Sequence, residues 1–300
     1  MTANWAKLKQ QSLIGISNIL TYDVSSTLQL LRSGQGSRPD CAMTMEGTYI
    51  YKALQAMFLQ QDPALFRQYT YTSALFRIMK AQQRPAAFDG MCALFAAVVC
   101  DDAELYHWHS QHVLPSFSTI PKQKWIDRNR VGSREFQTFQ LHLAMQQKFE
   151  LLAERAEYIL AHPPGKNMLK YQVDNQFFLG LARGDVALMT EALTLLCSPK
   201  FAARRFHADG ILCNYLLSPF GLMYGKMAWR AGYQLDIDSP LYPTELVAVA
   251  PLPQYQRSYD VLETLDIYQP FAYDQHFTPL PPGQFNLDIC QQSRPMEKLP

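Results

Sequence analysis

Apolar residues recur along most of this 300-residue chain at the spacing of a helix buried on one face. Trp5, Leu8, Ile16 and Ile19 follow the 3.6-residue period, as do Phe136, Phe139, Leu143, Phe149 and Leu152, and then Phe178, Leu181, Leu188 and Leu195. Punctuation supports the period. Asp62-Pro63, Ser198-Pro199 and Ser218-Pro219 each join an N-capping side chain to a proline at the first helical position, where its missing N–H is not needed. Gly184 and Gly232 stand where a helix needs a left-handed C-terminal residue, and Asp185 can cap the helix after Gly184. The pattern predicts an all-α fold of roughly ten helices, joined by the short connections of antiparallel neighbours.

Two stretches, 62–101 and 168–208, read as helical hairpins and suggest a TPR-like array. Neither carries the Trp, Gly and Tyr spacing of that repeat, so strict repeats are not expected. The pattern breaks twice. Residues 114–133 form a basic loop joining helical halves at 1–113 and 134–250. Beyond 250 the chain is Pro-rich, which predicts an extended C-terminal arm over 251–300, packed along a 1–250 helical domain by its aromatics.

Composition narrows the function classes. Hydrophobic residues make up 48% of the chain and charged ones 18%, enough to bury a large core. A net charge of +1 argues against a nucleic-acid or membrane-surface binder. The N-terminal stretch has no secretory-signal pattern and no apolar run is long enough for a membrane span, so a cytoplasmic location is expected. Charge is nonetheless uneven: residues 236–300 hold nine acidic and three basic residues, against 17 and 24 in 1–235.

The densest chemical signal is AELYHWHSQH, residues 103–112, with three histidines around Trp108. At about 100° per residue, His107 and His109 diverge by about 200° on a helix, whereas His109 and His112 share a face. One pair without a further ligand motif does not make a metal site, so no metal or cofactor is expected. The histidines read instead as surface or interface residues beside Trp108. The six cysteines form no Cys-x-x-Cys pair and read as buried thiols. Asp236 and Asp238 would share a face of an extended segment, but Asp238 or Ser239 reads more simply as a cap for a short helix near Pro240 or Pro243. No Gly-x-Ser-x-Gly, Walker or Gly-x-Gly-x-x-Gly motif is present, so an enzyme and a small-molecule substrate are not expected.

Lys122, Lys124, Trp125, Arg128 and Arg130 combine cationic donors with an aromatic anchor, and form the leading candidate for a partner surface. His109 and His112 lead into that loop. Asp260, Asp266 and Tyr268 are the corresponding candidates in the acidic C-terminal third.

The run FFLGLARGDVALMTEALTLL, residues 177–196, followed by SPFGLMYGKMAWRAGYQLDIDSPLYPTELV from Ser218, resembles the C-terminal half of the immunity protein 49 family of bacterial polymorphic toxin systems. The likeness covers roughly residues 170–247, and Gly184, Asp185, Gly232, Asp238 and Pro240 match as caps and corners, not as contact residues. It implies an all-helical protein that neutralises a cognate toxin by binding it. A helical scaffold that binds another protein or peptide is the alternative reading of the same residues, and an enzyme using the histidines or the Asp236/Asp238 pair a third.

Overall fold

The computed structural model describes residues 2–83, 91–111, 134–163, 165–205 and 215–269. They form an antiparallel helical array, with no strand among the described residues. The basic loop at 114–133, His112 and the arm beyond residue 269 lie outside the described residues.

The array is built on a long hairpin, α3 (Arg38–Phe58) and α4 (Pro63–Ala81). Its turn is set by Asp62, whose side chain accepts a 2.8 Å bond from the Leu65 amide while Pro63 occupies the first helical position. The hairpin centred on 62 therefore pairs α4 with the helix before it; the stretch after it continues through a 3₁₀ turn, Met91–Leu94, into a short α5 (Phe95–Val99). At the N-terminus, α1 (Thr2–Ile19) and α2 (Ser25–Ser33) lie against α3. Next, α6 (Ala103–Gln111) is capped by Asp102, which accepts from the Leu105 amide at 2.8 Å.

The second half contains α7 (Arg134–Met145), α8 (Phe149–Ala161), the single turn α9 (Gly165–Met168), α10 (Gln172–Arg183), α11 (Val186–Leu196), α12 (Pro199–Arg205) and α13 (Pro219–Arg230). The α10–α11 hairpin turns at Gly184, whose φ of +69° is the left-handed conformation expected there, and Asp185 caps α11 at the Leu188 amide. Gly225 in α13 is required for a different reason: a Cβ there would stand 2.3 Å from the Tyr242 hydroxyl oxygen. Two single turns follow, α14 (Thr244–Val247) and α15 (Asp260–Glu263). The α14 turn starts at Pro243 without a side-chain cap, so neither Asp238 nor Ser239 caps it; Ser239 instead donates to the Cys197 carbonyl.

Two apolar clusters hold these helices. The larger joins Leu54 and Phe66 of the hairpin to Phe139, Leu152, Phe177, Leu193 and Tyr224 of the second half. The smaller lies on the other side of α3 and α4, around Tyr49, Leu75, Phe76 and Trp108. Its remaining wall comes from the chain after α14: Leu262, Leu265 and Ile267 are buried in it. Residues 248–269 therefore act as a strap across the first half. Tyr255 stacks on Tyr71 at 4.7 Å, and the Tyr49 and Tyr259 hydroxyls bond at 2.6 Å. Gln68 meets both the amide and the carbonyl of Gln256, at 3.0 and 2.9 Å. Within the described residues, Tyr255 and Tyr259 of the strap thus lie against Tyr71 of α4 and Tyr49 of α3.

Candidate binding surface

Polar side chains first have to be separated into those that hold the helices together and those that face outward. Three ionic groups are buried. Asp174 of α10 bonds Arg205 of α12 at 2.6 Å and the Tyr224 hydroxyl of α13 at 2.5 Å. Glu46 of α3 takes Arg77 and Lys80 of α4, at 2.5 and 2.6 Å. Between the halves, Asp101 accepts from Lys226 through both oxygens at 2.7 Å, from Arg67 Nε at 3.0 Å and from the Ala250 amide at 3.1 Å. A chain of buried polar side chains adds to these, headed by a cation: Arg155 of α8 donates to Gln140, Gln140 to Asn175, and Asn175 to Gln137, linking α7, α8 and α10. Each is a structural staple, since removing one partner leaves an uncompensated buried polar group.

The thiols belong with the core. Burial pushes Cys100 and Cys197 up to about 12, so both stay protonated near neutrality. Among the described residues no group of three His, Cys, Asp or Glu side chains is placed to hold a metal ion. Nor is any helix among them long and apolar enough to cross a membrane.

The histidine segment is a helix, and His107 and His109 do fall on opposite faces. The outward face is that of His107. His109 is only 1% exposed, edge-on to Trp108 with ring centres 4.9 Å apart, and Trp108 is itself 1% exposed. The expectation that both stand at a contact surface is corrected: Trp108 is a core residue that donates to the Ile267 carbonyl at 2.9 Å, and its neighbour is carried inward with it. Lys122, Lys124, Trp125, Arg128, Arg130 and His112 lie outside the described residues.

The acidic candidates are all on the strap. The Asp266 carbonyl accepts from Gln82 at 2.7 Å, and its carboxylate accepts from the Tyr268 amide at 2.9 Å. Tyr268 donates its hydroxyl to Glu104 at 3.2 Å. Asp260 is different. It bridges to Arg32 of α2, both atoms of the carboxylate lying 3.0 Å from Nε, and both side chains are more than half exposed. That guanidinium holds the Asp260 carboxyl below the usual carboxylate range.

The bridge crosses one side of an open cleft of about 310 Å³. Leu31, Met79 and Val261 form its apolar floor, while Arg32, Arg38 and Asp260 supply charge at its edge. Arg38, the first residue of α3, makes no hydrogen bond or ion pair among the described residues. Leu30 and Met43, on the same two helices, are also exposed. Two guanidiniums beside exposed apolar side chains are what a protein-docking surface uses, the arginines for directional bonds and the floor for desolvation. Sequence reasoning reached Asp260 but not Arg32 or Arg38, because nothing local signals a pairing between residues 228 positions apart.

No family model, curated protein or solved structure matches the chain.

Proposed function

We propose that this chain is an immunity protein that neutralises a bacterial toxin by direct binding. Two things support the reading: the resemblance of residues 170–247 to the immunity protein 49 family, and the cleft at the seam between α2, α3 and the strap. The cleft is the observation that carries it. Its net charge is positive and its floor apolar, so it suits an acidic segment of a partner protein flanked by an apolar side chain. In this reading the toxin is blocked by being covered, and the chain contributes contact, not chemistry. We place the protein in the cytoplasm, in keeping with Cys41, Cys100 and Cys197 being free, buried thiols.

The test is genetic and then physical. The product of the open reading frame immediately upstream is expressed alone and together with this chain. Growth arrest relieved by co-expression, with the two proteins co-eluting on size exclusion, is the expected result. An upstream product that is harmless, or that arrests growth regardless of this chain, removes the immunity reading.

A further inference from the structure

Both carboxylate oxygens of Asp260 lie 3.0 Å from a single atom of Arg32, Nε, so one N–H is shared between them and the parallel two-bond fork of an arginine–carboxylate pair is not made. Among the described residues Arg32 makes no other hydrogen bond, which leaves the remaining N–H groups of its guanidinium open at the edge of the cleft. Arg38 brings a second guanidinium to the same cleft.

The strap thereby places in the cleft the chemistry that an acidic partner segment would bring: a carboxylate, Asp260, and next to it an aliphatic side chain, Val261, in the same lining as Leu31 and Met79. The ion pair is easily exchanged. Arg32 and Asp260 are 51% and 58% exposed, so water and salt screen their attraction, and a released Asp260 is hydrated at once. Nor does the rest of the strap have to follow. Leu262, Leu265 and Ile267 stay buried in the smaller core, and Arg257 donates to the Leu262 and Leu265 carbonyls, so release of Asp260 is a side-chain rotation and not an unfolding of the strap.

We infer that Asp260 is a built-in competitor: it holds at Arg32 the place of a carboxylate of the docked segment, which displaces it while a second carboxylate of that segment takes Arg38. The inference rests on the cleft being the docking surface proposed above. It gives the segment a pattern, two carboxylates beside an aliphatic side chain, because two guanidiniums stand at the edge of one apolar floor. It also sets an order. The carboxylate at Arg38 meets no competitor among the described residues, whereas the one at Arg32 binds only when Asp260 has let go. An exposed pair of this kind is formed for about half to four-fifths of the time, which lowers the apparent affinity about 2- to 5-fold.

The test uses the full chain and a rhodamine-labelled peptide of alternating glutamate and valine, acetylated and amidated, with binding read by fluorescence anisotropy at fixed salt. Asp260→Asn should bind the peptide about 2- to 5-fold more tightly than wild type. Glu263→Gln removes the same charge from the same single turn, at a residue that bonds neither arginine, and should change the affinity little. In an Arg32→Gln background Asp260→Asn should have no further effect, since the competitor has lost what it competes for. Equal affinity of wild type and Asp260→Asn overturns the inference, as does a tightening that Glu263→Gln matches or that survives Arg32→Gln. No binding to either form overturns it together with the cleft as docking surface. The immunity reading is decided apart from this by the co-expression assay, so protection that comes with an indifferent Asp260 removes this inference alone.

Discussion

Both carboxylate oxygens of Asp101 lie 2.7 Å from Nζ of Lys226, a residue 125 positions further along the chain. Asp101 holds φ at +66°, a conformation that Asp and Asn tolerate better than other non-glycine residues. Asp101→Asn keeps the backbone and removes the charge, leaving Lys226, Arg67 and Arg230 without their anion. A loss of about 3 to 5 kcal/mol is expected. Lys226→Met should cost clearly less, because two guanidiniums still face Asp101. Urea unfolding of both variants measures the difference, and equal losses would show that Asp101 does not organise the group.

Lys226 also gives a pH dependence of definite sign. Its folded value, about 8, lies below the ordinary lysine value, so between pH 8 and about 10.5 the unfolded chain binds the extra proton. Stability contributed by this group therefore rises with pH across that window. Buried tyrosines act oppositely at higher pH: burial pushes Tyr106 up to about 12, and unfolding there releases a proton. Comparison of wild type with Lys226→Met between pH 7.5 and 9.5 isolates the lysine. The wild type should gain stability relative to the variant as pH rises, and parallel curves would contradict the assignment.

The strap makes a separate claim on stability. Leu262 is fully buried between α3, α4 and the strap's own Leu265 and Ile267. Leu262→Ala should cost about 2 to 5 kcal/mol. If the strap were only laid over a finished core, the cost would be near zero, and calorimetry or urea titration separates these outcomes.

Gly184→Ala tests the α10–α11 turn. The left-handed backbone alone is worth about 1 to 2 kcal/mol against a Cβ. The added carbon would also stand 2.7 Å from the Tyr233 hydroxyl, so that side chain must move. Tyr233→Phe in the same background should recover the clash but not the backbone term. A Gly184→Ala variant as stable as wild type would mean the turn relaxes elsewhere.

These positions show what the sequence could convey. Helix starts at Asp62, Asp185 and Ser218 were legible because a cap acts within three residues. The periodicity also separated His107 from His109. It could not say which face turns inward: Trp108 and His109 are buried because Ile267, 159 residues beyond Trp108, closes over them. The Asp101 group and the Arg32–Asp260 pair were illegible for the same reason. Their partners meet only after the halves and the strap have packed, and a lone Asp, Lys or Arg has no local pattern announcing it.

The cleft separates two acidic residues that composition treats alike. Asp260 is more than half exposed at the edge beside Arg32 and Arg38, so its pairing adds little to stability. Asp266 faces inward at its carbonyl, bonded to Gln82, and its carboxylate holds the Tyr268 amide. On the proposed function, Arg32→Glu combined with Arg38→Glu should unfold like wild type yet lose protection in the co-expression assay, since an acidic partner segment would be repelled. Asp260→Asn removes the competitor for Arg32 and should leave protection intact or strengthen it. Asp266→Asn should leave protection unchanged. Full protection by the double arginine variant would move the contact away from this cleft, towards the basic side chains Lys124 and Arg128, where Lys124→Glu with Arg128→Glu is the corresponding substitution.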